Sequence, residues 1–387
     1  MRQRVFLAVS VVTIALLAGC AQQPITEPTA DASTNTPAAS APSQAPERPA
    51  NRYGLDCPEL ADPSTLESIF GTAQPFGISH EFGGFAAEPL VHDGALLCRW
   101  GDGPYLDSQG TGLQVVAAPS ANDVSVALQA AQELGQLEES ATVTLGQVSA
   151  NGRCVAYSLG DGGLCNYVVV SGQTMIAFQL SGLPLDQIST ADDSTESPEL
   201  VGSLNPNSTA FTLMDGIVRK IATAAILPEI KANPLPDCDS VVSWATIAEK
   251  LELPLGSVVN SDAPVDYSAD SRYWSYYDVA LNAAGSQAAE RQGVRRCSVE
   301  IGMYVYDEQT APISLWAEFV PEGAWVRDSG LWLGWDQEVC QNWAGGPACE
   351  YSWISPSGVA AHVRVQGGLI DDEGPAGVGK LIEEELS

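Results

Sequence analysis

An uncharged apolar run from Val5 to Ala18 follows Arg2 and Arg4 and closes on Leu17-Ala18-Gly19-Cys20. It has the length of a secretory h-region behind a basic start, and as a helix it spans roughly 20 Å against about 30 Å of bilayer hydrocarbon. The pattern then vanishes. From Ala21 to Arg52 the one large aliphatic residue is Ile25, no aromatic occurs, and Pro recurs among Ala, Ser, Thr and Gln. Such a stretch cannot bury enough surface to offset its ordering entropy and is expected to be a disordered linker.

Beyond residue 53 the apolar positions form two sets that repeat. Counted from Cys57, Leu66 and Phe70 fall at the offsets of Ile247 and Leu251 counted from Cys238. Both pairs have i, i+4 helical spacing, with Asp62-Pro63 and Ser243 as starts. Leu96–Trp100 and the region of Arg296–Val299 follow as strand starts. Leu113–Ala118 and Ile313–Val320 are strand-like runs stopped by Pro119 and Pro321. Next come Cys165-x-Tyr167 beside Cys349-x-Tyr351, the turns Ser171-Gly172 and Ser357-Gly358, and the runs Phe178–Gly182 and Val363–Gly367, which read as hairpins. The first set adds a helix over Val124–Leu134, opened by Ser120 or Asn122. Each set closes with a helix, striped by Phe211, Met214, Val218 and Ile221 in one and by Val378, Leu381 and Leu386 in the other.

This order predicts an α+β protein of two tandem related domains, each an antiparallel sheet with flanking helices and two intradomain disulfides, after a signal peptide and disordered linker. The expected boundaries are 1–19 for the signal peptide, 20–52 for the modified Cys and linker, 53–228 for the first domain, 229–237 for a Pro-containing connector and 238–387 for the second domain. The cysteines support the division. With Cys20 set aside, an even number remain, spaced as two long and two short separations. They are expected to pair as Cys57–Cys98, Cys154–Cys165, Cys238–Cys297 and Cys340–Cys349, in an oxidising compartment.

Leu17-Ala18-Gly19-Cys20 resembles the lipobox of bacterial lipoproteins. The resemblance implies that Cys20 carries a diacylglyceryl group and becomes the mature N-terminus, with acyl chains, palmitate among them, that make membrane attachment durable. Together with the Cys-started helix and Cys98-Arg99-Trp100, it is similar to a broad group of actinobacterial lipoproteins of uncharacterised function. That similarity covers the leader and linker, extends to the first domain, and meets no Cys-x-Trp in the second. It implies a module tethered to the extracytoplasmic face of the membrane, and it assigns no catalytic residue.

Charge narrows the partners. Lys and Arg number 17 against 48 Asp and Glu, and loss of Arg2 and Arg4 leaves 15 against 48, a net charge of −33. A field of that sign repels polyanions, which argues against nucleic acid. No Cys-x-x-Cys occurs and the chain has three histidines, so no metal or other cofactor is expected. Gly374–Leu381 approaches a phosphate-binding loop but has Leu381 where the hydroxyl belongs and Asp371, Asp372 and Glu373 before it. A Gly-rich turn into the last helix suits it better. No serine-hydrolase or zinc-protease signature is present, and His362, in a strand, is expected to pack rather than to catalyse.

Tryptophan is unevenly placed. Of nine, Trp100 alone lies in the first domain. Tyr273, Trp274, Tyr276 and Tyr277 crowd an insertion of the second, near Arg291, Arg295 and Arg296. With Arg295 and Arg296, these aromatics are the candidate ligand-binding residues, because flat amphipathic rings give contact area at little entropic cost. The function expected is a non-enzymatic envelope lipoprotein binding a polysaccharide, a peptide, another small ligand or a membrane-protein partner. The alternative is an extracytoplasmic hydrolase using paired carboxylates.

Overall fold

The computed structural model describes residues 48–72, 74–75, 87–101, 110–157, 162–190, 199–229, 233–252, 254–260, 274–306, 309–329, 332, 335–343, 346–366 and 374–386. The leader, Cys20 and most of the linker therefore lie outside the described residues, as do Tyr273, Asp371, Asp372 and Glu373.

Helices α1 (Cys57–Leu60), α2 (Pro63–Phe70) and α3 (Glu88–His92) lead into strands β1 (Leu96–Gly101) and β2 (Gly112–Ala118). Helix α4 (Ala121–Glu133) precedes β3 (Ala141–Leu145), β4 (Val148–Tyr157), β5 (Gly163–Ser171), β6 (Thr174–Leu183), β7 (Ile188–Thr190) and β8 (Glu199–Leu204), and α5 (Thr209–Thr223) ends this half. The second half runs α6 (Cys238–Val241), α7 (Trp244–Lys250), β9 (Leu255–Asn260), α8 (Tyr276–Gln292), β10 (Arg295–Tyr306), β11 (Gln309–Val320), α9 (Val326–Ser329), β12 (Val339–Trp343), β13 (Gly346–Ile354), β14 (Ala360–Gln366) and α10 (Gly374–Leu386). The start signals act where the sequence puts them. Asp62 accepts from the Thr65 amide at 2.9 Å with Pro63 in the first turn, and Ser243 accepts from that of Thr246.

The strands form two antiparallel sheets, ordered β1-β2-β6-β5-β4-β8-β7, with β3 also on β4, and β12-β13-β14-β11-β10-β9. Within them the run β1-β2-β6-β5-β4 repeats as β10-β11-β14-β13-β12, so the two halves share a core topology. The four disulfides are Cys57–Cys98, Cys154–Cys165, Cys238–Cys297 and Cys340–Cys349. Two of them tie a helix start to the first repeated strand. The others join directly opposed residues of neighbouring strands, Cys154 to Cys165 and Cys340 to Cys349, with Cα atoms 4.0 and 4.1 Å apart. Antiparallel pairs that exchange no backbone bonds approach closely enough for this. Disulfides of this number and kind place the folded part in an oxidising, extracytoplasmic compartment.

One face of the first sheet buries Val115, Tyr167, Phe178 and Leu180 under α2 and α5. The matching face of the second buries Val299, Phe319 and Val363 with residues of α6, α7 and α10. The other face of the first sheet is covered by an element of the second half. Helix α8 lies against α3, α4, β5 and β6, and Val116, Val168 and Met175 share a cluster with Ala280, Ala284 and Ala288. Ala283, Ala284, Gly285, Ala288 and Ala289 make α8 thin and small-sided all round, which lets it lie flat on a sheet flanked by two other helices. No helix among the described residues is long and apolar enough to cross a membrane.

Polar bonds fasten this union. The Asp93 carboxylate, after α3, accepts from Arg291 at 2.7 and 3.3 Å and from Gln292 at 3.0 Å. Gln114 of β2 donates to the Tyr277 hydroxyl at 2.7 Å, and Trp332 donates to Glu88 at 2.8 Å. Ser120, at the start of α4, spends its hydroxyl on Arg291 at 3.0 Å rather than on its own helix.

Candidate functional site

The described members of the expected aromatic group, Trp274, Tyr276 and Tyr277, pack against the first half. Helix α8 begins where the aromatics fall and carries them onto the first half. Tyr277 is 1% exposed, and burial pushes its hydroxyl pKa up against the hydrogen bond from Gln114. Tyr276 is half-buried beside the shared core. Trp274 docks instead of projecting: its amide donates to the Gln136 carbonyl at 2.7 Å and its carbonyl accepts from Glu138 at 2.9 Å. The three arginines face different neighbours. Arg291 serves Asp93, while Arg295 donates to the carbonyls of Pro236 and Val294 at 3.1 and 2.9 Å. Arg296 stands in β10 opposite Glu318. Tyr277 is thus sealed, and Trp274 and Tyr276 partly covered, by an inter-half contact that local sequence does not encode.

The remaining tryptophans of the second half are mostly core: Trp244, Trp325, Trp332 and Trp353 are buried. His362 lies beneath Trp332, ring centres 5.3 Å apart, with Nδ1 2.7 Å from the Ser352 hydroxyl. Ser352 and His362 are 0% and 2% exposed, which gives the pair a packing role. The near phosphate-binding loop is helix rather than a turn. Its Gly379 lies inside α10, where a Cβ would come within 2.5 Å of the Tyr351 ring, so the missing side chain serves helix–sheet packing. Glu338, Cys340 and Cys349 bring possible metal-ligating atoms within 4.8 Å, but the two sulfurs are spent on each other.

A different constellation crosses the first sheet. In register on neighbouring strands stand Arg99 and Gln114, Gln114 and Gln179, Gln179 and Asn166, and Asn166 and Arg153. The row continues to Ser203 of β8, which pairs with Ser189 of β7. Each strand thus contributes a polar side chain to the face that α8 covers with small apolar residues. Under α8 the row is buried, Arg99 to 3% and Gln114 to 1% exposure. At Arg153 it opens.

The opening has a backbone cause. Strand β4 pairs with β3 up to Gly152, opposite Ala141, and with β8 from Cys154, opposite Gly202. Arg153 therefore stands where one neighbour gives way to the next. There a cavity of about 330 Å³ forms over Arg153 and Ala141, within the usual range of about 300–1,000 Å³ for ligand sites. Glu139 and Ser140 lead into β3 on one wall, and Ser189, Val201, Gly202 and Ser203 of β7 and β8 form the other. At Gly152 a Cβ would come within 1.9 Å of the Asn166 carbonyl oxygen, so the close approach of β4 to β5 beside the cavity requires glycine.

Glu138 joins this cavity to the second half. Its carboxylate holds Arg153 at 2.8 Å, and its amide donates to Trp274. Burial raises the Glu138 pKa, with Arg153 acting against the shift and Asp278 adding to it. The site thus offers serine hydroxyls, one guanidinium already matched by a carboxylate, the further carboxylate of Glu139, and Val201, 45% exposed, as an apolar patch.

No protein-family model matches the chain, and no curated protein matches it. Among solved structures, MucB in the crystal structure of MucB in complex with MucA(peri) aligns with 75% of this chain and 82% of its own, at 10% identity and a TM-score of 0.16. A score that low carries neither a shared fold nor a shared role.

Proposed function

We propose that this chain is a cell-envelope lipoprotein, held by a lipidated Cys20 on the extracytoplasmic face of a membrane, whose folded part binds an envelope component at the cavity over Arg153. The lipobox-like tetrapeptide and the spacer after it support the tether. The observation that carries the binding role is the cavity itself: a polar row that α8 buries elsewhere is laid open beside β8, where serines and a balanced Arg153–Glu138 pair face solvent. Groups set to hydrogen-bond in a concave site are what ligand recognition uses.

Expression in the native cell tests the tether. The intact protein is expected to partition into detergent with the mass of an acylated Cys20, and Cys20→Ala is expected to appear in the aqueous phase. An unmodified Cys20 on a membrane-free wild-type chain would overturn it. The hydrolase reading has one observation in its favour, the raised carboxyl of Glu138 beside Glu139 at the cavity. New reducing ends released from envelope polysaccharide by the wild type, and lost in Glu138→Gln, would decide for it.

A further inference from the structure

We infer that the cavity over Arg153 takes a neutral sugar ring, one unit of a longer glycan; this rests on the reading that the cavity is the binding site. The charge of the site argues first. The charge of its guanidinium is already balanced by Glu138 at 2.8 Å, and Glu139 adds a negative charge to a chain whose net charge is −31, so an anion meets net repulsion, while the remaining N–H groups of Arg153 can still donate to a neutral ligand. A cation would have to lie against Arg153. A neutral ligand pays neither cost.

Hydrogen-bonding type argues next. Ser140, Ser189 and Ser203 are each donor and acceptor, Arg153 is a donor and Glu139 an acceptor. Sugar hydroxyls are the ligand groups that satisfy all three kinds at once, since each both gives and takes a hydrogen bond. Val201, 45% exposed, supplies the apolar surface on which the C–H face of a ring can lie. About 330 Å³ open to solvent suits one ring with room for the chain to leave.

The test is saturation-transfer NMR on the full chain in detergent, with glucose, N-acetylglucosamine, cellobiose and chitobiose as probes beside inorganic phosphate and putrescine. At least one sugar is expected to receive saturation, strongest at ring C–H protons, with millimolar affinity. Ser203→Trp, which fills the cavity from a strand position that accepts aromatics, is expected to weaken binding more than tenfold. Ser189→Trp on β7 repeats the test should the first variant fail to fold, and Ser68→Trp on the distant α2 is expected to bind normally. Arg153→Gln is expected to weaken binding about tenfold through a lost charge-assisted bond. No transfer to any of the sugars, or transfer unchanged by both cavity-filling variants, overturns the inference. Phosphate or putrescine bound in place of sugar and expelled by Ser203→Trp overturns the sugar but keeps the cavity as the binding site; no probe bound there at all removes both.

Discussion

Arg291→Ala is expected to be the most damaging substitution of a partly exposed side chain in the protein. The Asp93 carboxylate it serves is 1% exposed and receives two bonds from Arg291, at 2.7 and 3.3 Å, against one from Gln292. Arg291 also bonds Ser120 and lies 3.5 Å from Asp123. Burial lowers the Arg291 pKa, but the bond to Asp93 and its charge outweigh this and hold the guanidinium above its ordinary value. Two unit charges 2.7 Å apart attract by about 6 kcal/mol at an effective dielectric near 20. Removing one leaves the other buried and poorly matched, which costs about 3–5 kcal/mol. The melting temperature should then fall by roughly 4–7 °C for two halves that unfold as one unit. The assay is thermal and urea unfolding followed by tryptophan fluorescence, with Asp93→Asn and the double variant completing a cycle. Trp100 lies in the first half and the other tryptophans in the second, so Trp100→Phe reports whether both halves respond together. Loss of under about 1 kcal/mol would place the pair among solvent-screened surface bridges and refute the reasoning. Destabilisation confined to one half would refute the coupling through α8.

Other expectations can be checked by the same means. The His92 pKa is lowered mainly by burial, against the Glu322 charge, the Pro321 carbonyl and Asp93. A base depressed on folding adds stability above its unfolded pKa of about 6.5 and loses it as pH falls through the folded value. Melting temperature should therefore drop on acidification below neutrality, and less steeply in His92→Asn; an unchanged slope would exclude His92 as the cause. Tyr277→Phe strands the buried Gln114 amide and should cost about 1–3 kcal/mol in urea unfolding. Gly152→Ala places a methyl against the Asn166 carbonyl and should cost about 1–3 kcal/mol or more, with sugar binding lost as well. Replacing Cys57 and Cys98 by Ala, a separation of 41 residues, should cost about 4 kcal/mol, and replacing Cys340 and Cys349, a separation of 9, about 3; equal or reversed losses would show that the chain-entropy account fails here.

Sequence alone determined what depends on neighbours along the chain or on a repeated count. Asp62 before Pro63 marks a helix start, the i, i+4 pairs mark buried faces, and Ser171-Gly172 marks a hairpin. The matching separations of the cysteines carried the pairing, because each bond joins equivalent points of two related halves. Helix α8 was not legible in this way. Its alanines show no stripe, since small residues pack on every side of it. The burial of Tyr277 is not legible for the same reason: the surface that covers it belongs to strands about a hundred residues or more earlier. The row from Arg99 to Arg153 left a trace only at its start, where Arg99 and Gln114 are the single polar side chains of β1 and β2. Only strand order and register could set those residues side by side. Only the exchange of β3 for β8 along β4 could open the row into a cavity, because pairing between distant strands is fixed by the packing of the whole and not by any local preference.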